Sequence, residues 1–114
     1  ESIARDILEG HLAGEGYNII HAKDGFQALR RFERHRPNLV ILDVMMPHMD
    51  GFEVCQRLKS DQRWRNIPII LITAFWDQEQ MDRGIRAGAE SFMPKPIKGE
   101  ELRAQVRLLL QPME

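Results

Sequence analysis

The chain has 114 residues, 43% of them apolar and 29% charged, with a formal net charge of −1, which bounds it to one small domain of ordinary globular composition. Near-neutral charge excludes the electrostatic footprint of a nucleic-acid binder, and no apolar stretch approaches the roughly 20 residues of a membrane span. The N-terminus does not read as a signal peptide, and the single cysteine, Cys55, allows no internal disulfide, which suits the cytoplasm.

In chain order, residues 2–14 read as a helix with Ile3, Ile7, Leu8 and Leu12 on one face. Gly14 and Gly16 end it, and Tyr17–Ala22 reads as a short strand. Asp24 can cap the next helix, with Gln27 at the position of a capping box. That helix runs to about His35, buries Ala28, Leu29 and Phe32, and stops before Pro37. Leu39–Asp43 is a strand, and the loop after it turns at Pro47 and Gly51. Asp50 caps a helix to about Lys59, with Glu53 as its capping-box partner. SDQRWRN is a polar loop, Pro68–Thr73 a strand, and Asp77 caps a helix to Ala87 with Gly88 just past its end. Ser91–Met93 is a short strand. Gly99–Leu110 is the last helix, with Leu102, Val106 and Leu109 on one face, and Gln111-Pro112 closes it. The expectation is a single domain over residues 1–114 with no output domain in the chain. Strands alternating with helices imply a parallel α/β sheet.

Three strand ends carry the chemistry. LVILD ends in Asp43, PIILIT ends in Thr73, and SFMPK reaches Lys95. The first two runs are apolar almost throughout, as in strands buried on both faces. Ligands of open parallel sheets bind outside the carboxyl ends of the strands. A carboxylate nucleophile, a hydroxyl donor and a cation would therefore converge on one crevice, a set suited to covalent phosphoryl chemistry.

LVILDVMMPHMDG, IPIILITAF and AGAESFMPKPI resemble the third, fourth and fifth strand segments of response-regulator receiver domains, the CheY-like proteins of two-component signalling. Asp43 and Thr73 lie 30 residues apart, and Thr73 and Lys95 lie 22 apart, which matches that family. The resemblance implies a flavodoxin-like, doubly wound (βα)5 fold with strand order 2-1-3-4-5. It implies that Asp43 is the phosphoacceptor, Thr73 the switch hydroxyl that donates to a phosphoryl oxygen, and Lys95 the partner of the carboxylate and later of the phosphoryl group. It makes Phe92 the switch aromatic and the Lys95–Pro96 bond cis. Met45 and Phe75 would flank the phosphoryl group and affect its lifetime, and Ala74 would leave room for its oxygens. The family's Mg²⁺ is held by one acid of a pair ending the first strand, by the phosphoacceptor carboxylate and by the backbone carbonyl two residues on, here Met45.

Only four strands can be counted, and the family's first strand with its acidic pair would fall immediately before Glu1. A chain beginning at Glu1 is therefore expected to bind Mg²⁺ weakly or not at all and to be a poor phosphoacceptor. Without that strand, Tyr17–Ala22 and Leu39–Asp43 would face each other across about 10 Å, two inter-strand spacings, leaving buried backbone groups unpaired. An upstream strand is expected in any well-ordered sample.

The function implied is a cytoplasmic phosphorylation switch and not an enzyme acting on an external substrate. A histidine kinase or histidine phosphotransfer protein would phosphorylate Asp43, and the face made by the 77–87 helix, the 91–93 strand and the 99–110 helix would shift, with dimerisation through that face as one outcome. Those elements are the family's α4-β5-α5. The rival reading is a pseudo-receiver, a protein-interaction module that never carries phosphate; the residues upstream of Glu1 decide between them. A small-ligand binder of flavodoxin-like fold is disfavoured, because no glycine-rich phosphate loop follows the first visible strand. IPII, KPI and the SDQRWRN loop look more like receivers of hybrid kinases or enzymatic regulators than DNA-binding ones. His11, His21, His35 and His48 show no metal-site spacing, Cys55 reads as a core residue, and Trp64 and Trp76 sit in loops. Arg83, Arg86, Arg103 and Arg107 read as solvated helix faces.

Overall fold

A computed structural model of the chain describes residues 10–17, 22, 24–46, 48–74 and 77–111. Glu1, most of the expected first helix and first strand, His21, Pro47, Phe75, Trp76 and Pro112 lie outside the described residues. Of the 2–14 helix, residues 10–12 are described as helical.

The remaining elements fall where local chemistry places them: α1 Gly25–His35, β1 Val40–Asp43, α2 Gly51–Lys59, β2 Ile69–Thr73, α3 Gln78–Ala87, β3 Ser91–Pro94 and α4 Gly99–Leu110. Three helices start on an aspartate whose side chain accepts a backbone N–H three residues on. Asp24 takes Gln27 N, Asp50 takes Glu53 N and Asp77 takes Gln80 N, at 2.8–2.9 Å, each worth about 1 kcal/mol. The α2 box is not reciprocated, because Glu53 pairs with Arg57 one turn on at 2.9 Å. α1 ends on Arg36, which takes the left-handed region at φ 48° before Pro37 stops the helix. α3 ends at Gly88, φ 94°, where a side chain would be strained.

The described sheet is parallel, in the order β1-β2-β3. Asp43 is in register with Ile72, and Thr73 with Pro94. β2 is the central strand, and all five of its residues are buried. Its side chains alternate between two cores. Ile69 and Leu71 join Phe32, Leu42, Phe52, Val54, Leu58 and Ala87 under α1, α2 and α3. Ile70 and Ile72 join Leu12, Met93, Leu102 and Val106 under α4. Helices thus cover both sheet faces, the reason a strand can be apolar at every position. Each buried Ile or Leu contributes about 1.5–3 kcal/mol to holding the layers together.

Trp64 belongs to the larger core, its ring edge-on to Phe32 at 5.1 Å between centroids. Arg63 and Arg36 lie over it at 4.9 and 5.7 Å. Arg83, Arg103 and Arg107 are not simply solvated: they reach Asp50, the His11 carbonyl and Glu15 at 2.9–3.5 Å.

Candidate functional site at the carboxyl ends of the strands

Asp43, Thr73 and Lys95 are brought together at one edge of the sheet. Asp43 ends β1 and Thr73 ends β2, while Lys95 immediately follows β3. The ladder continues past the strands to fix their relative height. Val44 N donates to the Ile72 carbonyl at 2.8 Å, and Lys95 N donates to the Thr73 carbonyl at 2.8 Å. The Lys95–Pro96 bond is cis.

The Asp43 carboxylate is held from both sides. Met45 N donates to Oδ1 at 2.9 Å, and the Lys95 ammonium donates to Oδ2 in a short contact. Side-chain exposure is 31% for Asp43 and 34% for Lys95, so both are open to a docking donor. Thr73 is fully buried behind them. A carboxylate has about four lone-pair sites, so the two donors leave each oxygen able to act as nucleophile. Lys95 balances the carboxylate charge and stands where new negative charge would appear.

The loop from Val44 to Asp50 folds back on the strand end. Gly51 N donates to the Val44 carbonyl at 3.0 Å, and a Cβ on Gly51 would lie 2.5 Å from the Asp43 carbonyl oxygen. Only glycine lets the start of α2 approach the end of β1 so closely. Met45 is exposed beside Asp43, and His48 adopts φ 70° at the loop tip.

Phe92 lies inward. Its ring stacks on Phe52 at 6.3 Å and 26° between planes and rests against Gly84 of α3. Cys55 is fully buried, its thiol directed at the Ala87 carbonyl at 3.4 Å. Burial pushes that thiol up to about 11; Lys59 opposes the rise and Glu90 adds to it. Among the described residues no group of three or more His, Cys, Asp or Glu side chains could hold a metal ion. Sequence reading gave Lys59 and Glu90 no role and took Arg83 only as a solvated helix face. Each acts through a partner more than 30 residues away, and no local spacing signals such a pair.

A family profile described as response regulator receiver domain matches residues 1–107. The chain is 41% identical over 114 residues to the probable transcriptional regulator ycf27 of Porphyridium aerugineum, covering 100% of the chain and 46% of the relative. It is 45% identical over 103 residues to the response regulator PleD of Caulobacter vibrioides, covering 90% of the chain and 23% of the relative. The chain thus spans less than half the length of these curated relatives. Among solved structures, the signal receiver domain of a signal transduction histidine kinase from Syntrophus aciditrophicus superposes with TM-score 0.91 at 35% identity, covering 100% of this chain and 89% of that one. The receiver domain of a Pseudomonas aeruginosa sensor histidine kinase, with a magnesium ion coordinated in its active site cleft, superposes with TM-score 0.87 at 27% identity, covering 96% and 90%.

Proposed function

This chain belongs to the response regulator receiver domain family, and we propose that Asp43 is the residue on which it receives its phosphoryl group. The fold is the flavodoxin-like α/β fold of the CheY-like receivers, and the domain is a phosphoacceptor signalling switch. The observation that carries the assignment is the Lys95 ammonium on Oδ2 of a carboxylate at the carboxyl end of a buried parallel strand.

The donor is a phosphohistidine of a histidine kinase or phosphotransfer protein. An Asp43 carboxylate oxygen attacks phosphorus and the P–N bond to the imidazole breaks. The imidazole nitrogen keeps the electron pair and takes a proton. The product is an acyl phosphate carrying about −2 charge where the carboxylate carried −1. Lys95 then faces both carboxyl and phosphoryl oxygens, and the Thr73 hydroxyl is the donor that would be drawn toward them. Since Thr73 is fully buried at the end of β2, meeting a phosphoryl oxygen asks the 73–77 connection to move. The response therefore leaves the site along α3 and β3.

Asp43 and the Met45 carbonyl are hard oxygen donors of the type Mg²⁺ prefers, and they fit as two of its ligands, the remainder coming from water and from outside the described residues. When bound, the ion supplies neutralisation of the charge on the transferring group. The switched face is made by α3, β3 and α4, where Ile85 and Leu108 are exposed; we assign it to contact with an output partner or a second copy. No helix of the described residues is long and apolar enough to cross a membrane.

The test is Asp43→Asn. Treated with phosphoramidate and Mg²⁺, the full-length protein should gain one phosphoryl group by intact mass, and the variant none. Labelling that persists in a folded variant overturns the assignment. A wild-type protein that is never labelled points instead to an interaction module.

A further inference from the structure

Half of the chain's 16 Lys and Arg residues fall in two short segments, 30–36 and 57–65. They are Arg30, Arg31, Arg34, Arg36, Arg57, Lys59, Arg63 and Arg65, against two acids, Glu33 and Asp61. The chain as a whole has a net charge of −1, so the rest of it is net acidic. Basic residues favour the last turn of any helix, but α3 and α4 carry only Arg86 and Arg107 there. The fold sets the two segments side by side where the strands begin, a strand length from Asp43 at the end of β1. Trp64 joins them. Its ring packs edge-on against Phe32 of α1, with the Arg36 and Arg63 guanidinium groups 5.7 and 4.9 Å from its centroid. Asp61 at 2.8 Å and Glu33 at 3.8 Å hold Arg63 from two sides. Beside the ring lies an open hollow of about 490 Å³, floored by Phe32, Leu58 and Trp64 and walled by Glu33, Arg57 and Arg63. Binding sites have volumes of this order. Among the described residues no acid lies within ion-pair distance of Arg30, Arg34, Arg36 or Arg65, and all four are exposed.

We propose that this hollow and its arginines are a docking site for a short acidic protein segment that carries one aromatic or large aliphatic side chain. The apolar side chain enters the hollow between α1 and α2, and the carboxylates on either side of it meet Arg36, Arg30 and Arg65. Seven of the eight cations are arginine, whose planar fork pairs with a carboxylate through two parallel hydrogen bonds. Arg36 and Arg63 are already aimed by the Trp64 ring, since cation–ring attraction limits where they point. The local excess of positive charge favours a short polyanion. A long one, such as duplex DNA, would run beyond the patch and meet the net-acidic remainder of the chain. A membrane surface fits less well, because the apolar groups here floor a hollow and do not project. The large hydrophobic side chains that are exposed, Phe26, Met45, Ile85 and Leu108, lie outside it. A segment docked here leaves the crevice at Asp43 and the face made by α3, β3 and α4 uncovered. It therefore holds the domain whether or not Asp43 carries a phosphoryl group.

The probe is a fluorescein-labelled synthetic peptide, one Trp between short runs of Glu, titrated against the full-length protein by anisotropy. In about 0.1 M salt, where charges are screened beyond about 10 Å, the peptide should bind saturably, and more weakly as salt rises. The same peptide with Gln in place of Glu should bind about tenfold more weakly, and so should the acidic peptide to Arg36→Gln with Arg63→Gln. Arg30→Glu with Arg65→Glu should weaken it at least as much. Neither of those side chains has an acidic partner within the domain, so a loss there does not come from misfolding. Asp43→Asn and phosphoramidate treatment should leave the affinity unchanged. Absence of saturable binding, or undiminished binding to both folded double variants, overturns the site. Affinity that changes with Asp43→Asn or with phosphoramidate overturns it too, by moving the peptide to the crevice at Asp43. Tighter arginine-dependent binding of phosphatidylserine vesicles or duplex DNA than of the peptide assigns the patch to that partner and overturns the acidic segment.

Discussion

Lys59 and Glu90 meet at 2.6 Å, tying the end of α2 to the residue before β3. The Lys59 ammonium also donates to the carbonyls of Arg65 and Ile67 at 3.0 and 2.9 Å, so its three protons are all used. The other Glu90 oxygen accepts Ile69 N at 2.8 Å, and Glu90 N donates to the Ile69 carbonyl at 3.0 Å. One ion pair therefore pins the 61–67 loop, the start of β2 and the approach to β3.

Lys59→Met should destabilise the domain by about 1–3 kcal/mol, because three acceptors lose their donor at once. The Lys59 side chain is only 13% exposed, but Glu90 is 36% exposed, and water reaching Glu90 keeps the loss below that of a fully buried pair. Glu90→Gln retains an oxygen for Ile69 N and should cost less. Urea midpoints at unchanged slope measure both. Equal losses in the two variants would show that the carbonyl contacts contribute nothing.

Gly51→Ala sets two effects against each other. Alanine is favoured over glycine in a helix by at most about 1 kcal/mol. Its Cβ would sit 2.5 Å from the Asp43 carbonyl oxygen and 3.0 Å from Val44 Cα, and backbone atoms cannot rotate away. Overpacking of this kind costs about 1–3 kcal/mol, so the net change is a loss. Since the displaced atoms belong to Asp43 itself, phosphoramidate labelling should slow by up to about 100-fold. A thermal melt that rises, with labelling unchanged, would refute the close approach.

Lys95→Ala should change stability little, within about 1 kcal/mol, because its pair with Asp43 is a third exposed and screened. Its effect belongs to the response. Labelled and unlabelled forms of the variant should differ less than those of wild type in amide exchange over residues 77–98. An undiminished difference would remove Lys95 from the switch.

Cys55 should be inert in the folded domain. With the thiol pushed up to about 11, about one molecule in a thousand carries a thiolate at pH 8, and the side chain is fully buried. Iodoacetamide should modify it only in urea. The raised value also sets a pH dependence. The unfolded thiol ionises near its ordinary value of 9.0 while the folded one still holds its proton. The Cys55 contribution to stability is complete below about pH 9 and is lost as pH rises through about 11. Cys55→Ala should flatten that alkaline fall in denaturant midpoints; an identical slope would count against it.

The boundaries of the elements were legible in the amino-acid sequence because the signals that set them are local. Asp24, Asp50 and Asp77 each find their partner three residues on, and Gly88 takes a backbone conformation that other residues resist. The grouping of Asp43, Thr73 and Lys95 was legible for a related reason: apolar runs of this kind form parallel strands, and the ends of parallel strands share one edge. Tertiary structure alone decided the rest. Trp64 lies in a polar loop, and its burial follows only once α1 supplies Phe32 as its wall. Arg83 and Arg107 read as solvated helix faces, yet they meet Asp50 and Glu15, and Lys59, which reads only as a helix end, meets Glu90. A long charged side chain can reach many acceptors, and which one it meets depends on which helices and loops pack side by side. Sequence spacing carries that information for a helix turn or a strand pair, but not across the layers of a sheet.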